Sequence, residues 1–381
     1  MLLSKLKKET KYILSVFFIW RVSLFLIAWI SVFFVPKNKE YLTSWLFDVE
    51  KYNLINIWFR WDSAHYNSIA INGYQWINSA VFFPLYPLLM RITSYFIPFN
   101  NSTIIAGFLI SNLSLLIALF YFYKLIKLDY SDKISQRAIL YLLIFPMSIF
   151  FASIYTESLF LMLSVASFYY ARKKNYKASS LFIFFACLTR LAGIFLFVSI
   201  LFEYLYQNNF KLKFLKSKDS IFIYLSSLGL IAYMFFLYMK FQDPFLFISL
   251  QSEWNRDFYP IWKILFDSIK YILINIDKFF TLEYFNNLVK LSYLFLFSVI
   301  NVLVWKKMRK SYALYMFISI IVPLLSGSTA SINRYTLVLF PAFIIFAIVG
   351  KNKLYHRIIS VIFGIFLAYH TIMFVNLYWV G

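Results

Sequence analysis

The sequence predicts an all-α polytopic integral membrane protein, and three observations carry that prediction. Of the 381 residues, 62% are hydrophobic and only 14% charged, whereas a soluble domain devotes about a quarter of its residues to charge. The apolar residues run in stretches that approach or exceed the roughly 20 residues a bilayer-crossing helix needs. The bases gather in short runs between those stretches. Cys187 is the only cysteine and can form no bridge within the chain, and eight glycines and nine prolines are too few for a fibrous or low-complexity chain. Soluble globular, disordered and disulfide-built secreted classes are therefore excluded. A formal charge of +21 would suit a nucleic-acid partner only if the bases formed one soluble patch, and they do not.

The spans follow in order. Tyr12–Val35 comes first, preceded by Lys5, Lys7, Lys8 and Lys11. It lacks the short apolar core and small-residue cleavage site of a secretory signal, so it reads as an uncleaved span with a cytoplasmic N-terminus. Residues 1–11 and the runs Lys124–Arg137, Arg172–Lys177, Lys211–Lys218, Lys306–Lys310 and Lys351–Arg357 hold 23 of the 37 bases. Such a bias in short loops marks the cytoplasmic side. Placing every run there makes Thr103–Tyr123 the second span. Residues 138–171 then cross twice with a break near Phe151–Tyr155, and 178–206 twice with a break near Arg190–Gly193. Spans near 219–240, 286–305, 311–326, 334–350 and 357–378 complete about eleven crossings. The four crossings of the two broken pairs are short, a length tolerated where helices line a cavity.

Two long segments, about 36–101 and 241–285, fall outside. The first contains Ser79–Phe99, apolar but carrying Pro84, Pro87 and Arg91, which we read as an amphipathic helix on the outer surface. No internal repeat or interdomain linker is evident, so residues 1–381 form a single membrane-embedded domain. The aromatic residues, spread along the whole chain, read as lipid-facing bulk.

Charged groups at membrane depth are costly, which makes them functional candidates. This topology collects Asp62, His65, Glu157, Arg190, the segment Gln242–Asp257 and Arg334 toward the external face. Asp62 precedes a helical stretch, where it can cap the helix or serve a polar site; His65 and Tyr66 follow on the same face. Glu157, at the apex of the first short pair, can hold helix-start N–H groups or act in chemistry. Arg190 interrupts an apolar run, and Arg334 opens a span from outside; each is a phosphate ligand or a snorkelling anchor. The three His and one Cys make no zinc-like cluster, no Gly-rich phosphate loop occurs, and no metal is expected.

Several stretches, in order, carry a resemblance. They are Trp61-Asp62-Ser63-Ala64-His65-Tyr66 through Gly73-Tyr74, Phe82-Phe83-Pro84-Leu85-Tyr86-Pro87, Tyr155-Thr156-Glu157-Ser158, Leu188-Thr189-Arg190, Asp243-Pro244-Phe245, Gln251-Ser252-Glu253-Trp254, and Asn333-Arg334-Tyr335 before Phe340-Pro341. Together the set resembles the PIG-V-like mannosyltransferases of the GT-C glycosyltransferase superfamily. The chain departs from that pattern by lacking an acid just after Gly73-Tyr74 and by placing Leu191 where proline commonly follows Thr-Arg.

The resemblance implies a GT-C-like bundle that transfers a sugar, usually mannose, from a polyprenyl- or dolichyl-phosphate donor on the external or lumenal face. It implies that Asp62 is the catalytic residue; Glu157 is the second catalytic candidate, orienting the acceptor or an arginine, and no cofactor is expected beyond the lipid-phosphate co-substrate. A sugar phosphate already carries a good leaving group, so one carboxylate suffices to take the proton of the incoming hydroxyl. Direct displacement then inverts the anomeric centre. Glycosidases need two carboxyl groups because their leaving group is poorer. Arginine suits the departing phosphate, so Arg190 and then Arg334 are its ligands, and His65, Tyr66, Gln251 and Trp254 complete the substrate contacts. The partners expected are membrane lipid, the lipid-linked sugar and a glycan, lipid or protein acceptor, with no nucleic acid. The expected location is the cell membrane, or the endoplasmic reticulum in a eukaryote. A flippase of lipid-linked glycans is the competing reading; it would favour internal repeats and midplane broken helices. A non-catalytic envelope subunit is a third, and would need no Asp–Arg constellation.

Overall fold

A computed structural model describes residues 7–38, 55–251, 259–279, 281–325, 329 and 331–381, and among them all regular structure is helical. In chain order the α-helices are α1 (Lys8–Phe34), α2 (Asp62–Asn72), α3 (Leu85–Ser94), α4 (Ser102–Ile126), α5 (Asp132–Ile144), the single turn α6 (Ile149–Ala152), α7 (Glu157–Arg172), α8 (Tyr176–Cys187) and α9 (Gly193–Gln207). There follow α10 (Lys218–Ser226), α11 (Leu228–Phe241), the short α12 (Leu246–Ser249), α13 (Ile261–Ile274), α14 (Leu282–Lys307), α15 (Lys310–Leu324), α16 (Ile332–Tyr335), α17 (Phe340–Val349) and α18 (Lys353–Val375).

Among the described residues, five helices are long and apolar enough to cross a membrane: α1, α4, Lys218–Phe241 (α10 continued by α11), Glu283–Lys307 within α14, and α18. The count rises to seven if two bent pairs are each one span: Asp132–Ile144 with Pro146–Ala152, bent by 68°, and Ile332–Val338 with Phe340–Val349, bent by 81°. The protein is thus a multi-pass membrane protein. Against about eleven expected crossings, the remaining four stretches, α7, α8, α9 and α15, are helical but only 12–16 residues long. Their burial explains how so short a helix is stable here. Leu159, Phe160, Leu161, Leu163, Val165, Ala166 and Phe168 of α7 are all enclosed, and α7 packs chiefly against α4 and α8. Backbone ends that meet protein instead of lipid need no full bilayer thickness.

Both expected breaks are present. Residues 153–156 separate α6 from α7, and 188–192 separate α8 from α9. The second needs no proline, because Gly193 lets the chain double back: a Cβ there would lie 2.3 Å from the backbone nitrogen of Cys187. The stretch Ser79–Phe99 is shorter than expected as a helix. It forms a 3₁₀ turn at Ile77–Val81 and then α3, which at ten residues is too short to span. Buried Tyr86 fastens α3 to α4, its hydroxyl donating to the Gly107 carbonyl at 3.0 Å and lying 2.7 Å from Ser111 Oγ. In the second long segment between spans, α13 buries Ile264 and exposes Trp262, Phe266, Ile269 and Leu273 along one stripe, the signature of a helix lying in a membrane interface.

The aromatic residues correct one expectation. Many are exposed, yet the largest fully buried side chains are nearly all Phe, Tyr or Trp, including Trp58, Tyr155, Phe150 and Tyr315. Phe145 alone meets Tyr293, Phe297, Phe343 and Phe363 edge-on, at 5.1–5.9 Å. Edge-to-face contacts reward rings in a core where lipid and protein are equally apolar, so the aromatics fill the interior as well as the rim.

Candidate active site

Trp61 turns the chain into α2 with φ 52° and ψ −120°, a conformation that a residue with a Cβ holds only at a cost of about 1–3 kcal/mol. Two anchors hold the turn. The Trp61 ring meets Trp379 edge-on at 5.2 Å. The buried Arg60 guanidinium donates to the carbonyls of Asn56 and Phe59, both at 2.7 Å, and of Val375 at 3.2 Å. Val375 ends α18, so a cation meets the negative end of a helix. Burial pulls Arg60 down to about 10, still above neutral pH. Asp62 is therefore the first helical residue, with Trp61 in the cap position, and its carboxylate faces elsewhere.

That carboxylate accepts, through Oδ2, a hydrogen bond from Arg334 Nη1 at 2.7 Å. Arg334 also donates from Nε to Glu157 Oε1 at 2.6 Å, and Arg190 Nη1 donates to the same oxygen at 2.6 Å. Two carboxylates and two guanidiniums thus form one chain, Asp62–Arg334–Glu157–Arg190. Side-chain exposure grades along it: 24% for Asp62, 7% for Arg334, 0% for Glu157 and 17% for Arg190. The accessible ends are one carboxylate and one guanidinium, and the middle is sealed. Each arginine lies against rings that replace water: Phe150 and Tyr155 for Arg334, at 5.1 and 4.6 Å, and Phe160 and Tyr335 for Arg190, at 5.9 and 5.7 Å. Cation–π attraction is strongest where the cation is desolvated, as here. Glu157 Oε2 is buried and has no hydrogen-bond partner. Backbone again sets the aim, since Ser331, ahead of α16, has φ 61°.

The other expected site residues fall around this chain. His65 stacks on Phe82 at 4.6 Å with the rings 16° from parallel, and burial depresses its pKa despite nearby Asp62. Tyr66 packs edge-on against Phe82 and Tyr86; its hydroxyl lies 3.5 Å from Thr156 Oγ1, the residue before Glu157. Gln251 donates to the Phe247 carbonyl of its own turn at 3.2 Å. Trp254 lies outside the described residues. Sequence reasoning missed Phe150, Tyr335, Tyr155 and Phe160 as a ring lining, although the last two sit in or beside the motif around Glu157. It also missed Arg60 as the anchor of the Asp62 turn. Among the described residues no three His, Cys, Asp or Glu side chains form a metal-sized group.

A polytopic membrane bundle with a carboxylate–arginine chain near its helix breaks is the class these observations define. The family model described as Mannosyltransferase (PIG-V) matches residues 10–251, and the chain belongs to that family. It is accordingly a glycosyltransferase of the mannosyltransferase type. The matched stretch carries Asp62, Glu157 and Arg190 and ends before Arg334, which joins them through space. No curated protein matches the chain.

Proposed function

We propose that the protein transfers mannose from a polyprenyl- or dolichyl-phosphate donor to a hydroxyl of a glycan, lipid or protein on the external face, with inversion and without a cofactor. The observation that carries this reading is the four-residue chain with a carboxylate exposed at one end and an arginine at the other. In the proposed step the acceptor oxygen attacks the anomeric carbon, the bond from that carbon to the phosphate oxygen breaks, and the lipid phosphate leaves with the electron pair. Asp62 takes the hydroxyl proton through Oδ1, while Arg334 holds Oδ2 and with it the rotamer. Arg190 offers its remaining N–H groups to the phosphate, where a planar fork binds two oxygens at once. Glu157 is a positioning residue: fully enclosed, it ties both arginines to α7. His65 and Tyr66 line the acceptor side, and Gln251 and Trp254 extend it.

The test is transfer of radiolabelled mannose from a polyprenyl-phosphate donor by the purified chain. Wild-type transfer that Asp62→Asn abolishes supports the reading. Donor flipping across vesicles without transfer would sink it in favour of a flippase. The proposed topology has about eleven crossings and a cytoplasmic N-terminus, with Asp62 outside. An Asn72→Cys variant should then react with an impermeant thiol reagent on intact cells and Lys173→Cys should not; the reverse pattern turns the molecule over.

A further inference from the structure

At the far end of α7, 15 residues and so about 22 Å from Glu157, lies an open cavity of about 670 Å³. Three cations line it, Arg172, Lys174 and Arg309, with the amides of Gln207 and Asn209 and the rings of Tyr206 and Phe210; no carboxylate is among its lining residues. We propose that this cavity is a second binding site, for the phosphate group of an anionic lipid headgroup.

Two of the cations are held by carboxylates: Arg172, only 7% exposed, by part-exposed Asp129, and Arg309, 31% exposed, by buried Glu203. Asp129 accepts from Arg172 Nη1 and Nη2 at 2.6 and 2.7 Å, and the Tyr312 hydroxyl accepts from Nη1 at 3.1 Å. Glu203, buried behind the cavity, accepts from Arg309 Nη1 at 2.8 Å and Gln207 Nε2 at 2.7 Å through Oε1, and from the Ser311 hydroxyl at 2.6 Å through Oε2. Arg309, oriented by a buried carboxylate and still part-exposed, can meet an incoming anion at little ordering cost. Lys174 stands exposed at the mouth. A loop that serves only to orient the chain in the membrane needs bases, but neither a cavity nor buried partners for them.

The lining is shaped by the left-handed turns that end α7 and α9. Lys174 has φ 59°, and Asn209 and Phe210 are consecutive residues at φ 52° and 54°. The rim explains why the phosphate would belong to a lipid. Tyr206, Phe210 and Leu212 are exposed beside the cations, and Lys211, Lys213 and Lys216 follow at once. Apolar side chains for the acyl region and cations for the headgroup are the combination that basic pockets between membrane helices present to acidic lipids.

The experiment uses the full chain in detergent, with lipid adducts counted by native mass spectrometry. Phosphatidylglycerol is titrated against phosphatidylcholine of the same acyl chains, and glycerol phosphate is added in a third arm. Saturable phosphatidylglycerol binding is expected, roughly tenfold tighter than phosphatidylcholine, and Lys174→Glu should remove about that preference. Lys351→Glu, an exposed base away from the cavity, should leave it unchanged. Since Arg309→Gln would strand buried Glu203 and can fail to fold, Arg309→Lys is the second variant: it keeps the charge, loses the fork and should weaken phosphatidylglycerol severalfold. Mannosyl transfer by Lys174→Glu should equal wild type, which separates this site from the catalytic one. Competition by glycerol phosphate alone would identify a soluble phosphate as the ligand and keep the site. Equal binding of the two lipids, or equal loss in Lys174→Glu and Lys351→Glu, would overturn the proposal.

Discussion

The two ends of α7 hold the same inventory, two carboxylates and two arginines, arranged in opposite ways. At the end carrying Glu157, both arginines donate to one oxygen of a single sealed carboxylate, whose second oxygen is unsatisfied. At the end carrying Arg172, each arginine has its own carboxylate: Asp129 takes Arg172 through both oxygens, and Glu203 takes Arg309 with Gln207 and Ser311 filling in. The second arrangement shares the load: Asp129 and Glu203 each use both oxygens, a pairing that buried ionic groups tolerate, although Arg172 Nε is left without an acceptor. The first leaves one oxygen of the fully enclosed Glu157 without a donor, while the two ends of its chain, Asp62 and Arg190, stay accessible. Local rule-breaking is expected where function is built.

The largest effect that could break the contrast is catalytic. Asp62→Asn keeps size and can still accept from Arg334, but cannot take a proton at neutral pH. Transfer should fall about 10²–10⁴-fold with the melting temperature nearly unchanged, measured on the same samples. Full activity in the variant would remove Asp62 from the mechanism and reduce the outer cluster to scaffolding.

Next in size is the cost of emptying each centre. Glu157→Gln removes the buried charge shared by enclosed Arg334 and part-exposed Arg190, and removing one partner of a buried ionic group costs about 3–5 kcal/mol. Glu203→Gln should cost less, about 1–3 kcal/mol, because Arg309 is part-exposed and water can replace its partner. Urea unfolding of both variants in the same detergent decides it; equal losses would show that the ends of α7 are energetically alike.

Arg190→Lys is smaller and sharper. The ammonium keeps a charge near Glu157 but loses the planar fork, so the donor KM should rise severalfold with little change in stability. An unchanged KM would make Arg190 a packing residue that covers Phe160 and Tyr335.

Much of this site is legible in the amino-acid sequence alone. Asp62, Glu157, Arg190 and Arg334 announce themselves because charge within apolar runs is costly, and positional reasoning places all four toward one face. Their pairing is not legible there. Arg334 lies 272 residues from Asp62 and 177 from Glu157, and no periodicity reports a partner that far away. The ring lining of the arginines is hidden for a related reason: Phe150 and Tyr335 look like any aromatic in a chain that is 23% aromatic. The breaks at 153–156 and 188–192 are legible from charge placement, and Gly193 is a usable sign of the second. What composition cannot separate is a helix buried in protein from one buried in lipid, since both read as apolar. That ambiguity is why the count of crossings differs from the five to seven helices of spanning length.

The smallest expected effect is also the one that isolates the two ends most cleanly. Asp129→Asn breaks a bidentate pair with Arg172 and, like Asp62→Asn, changes one atom of a carboxylate bonded to an arginine. Asp129 is more than a third exposed, so water replaces the lost oxygen and salt already screens the pair. Exposed pairs are worth about 0.2–1 kcal/mol, and the variant should lose no more, with the loss shrinking as salt is raised. Mannosyl transfer should stay at the wild-type level, because the change lies about 22 Å along α7 from Glu157. The informative measurement is therefore the pair of isosteric variants assayed side by side, for transfer and for melting at low and high salt. A large activity loss in Asp129→Asn would mean that the two ends of α7 communicate, and the functional separation of the two ends would fall.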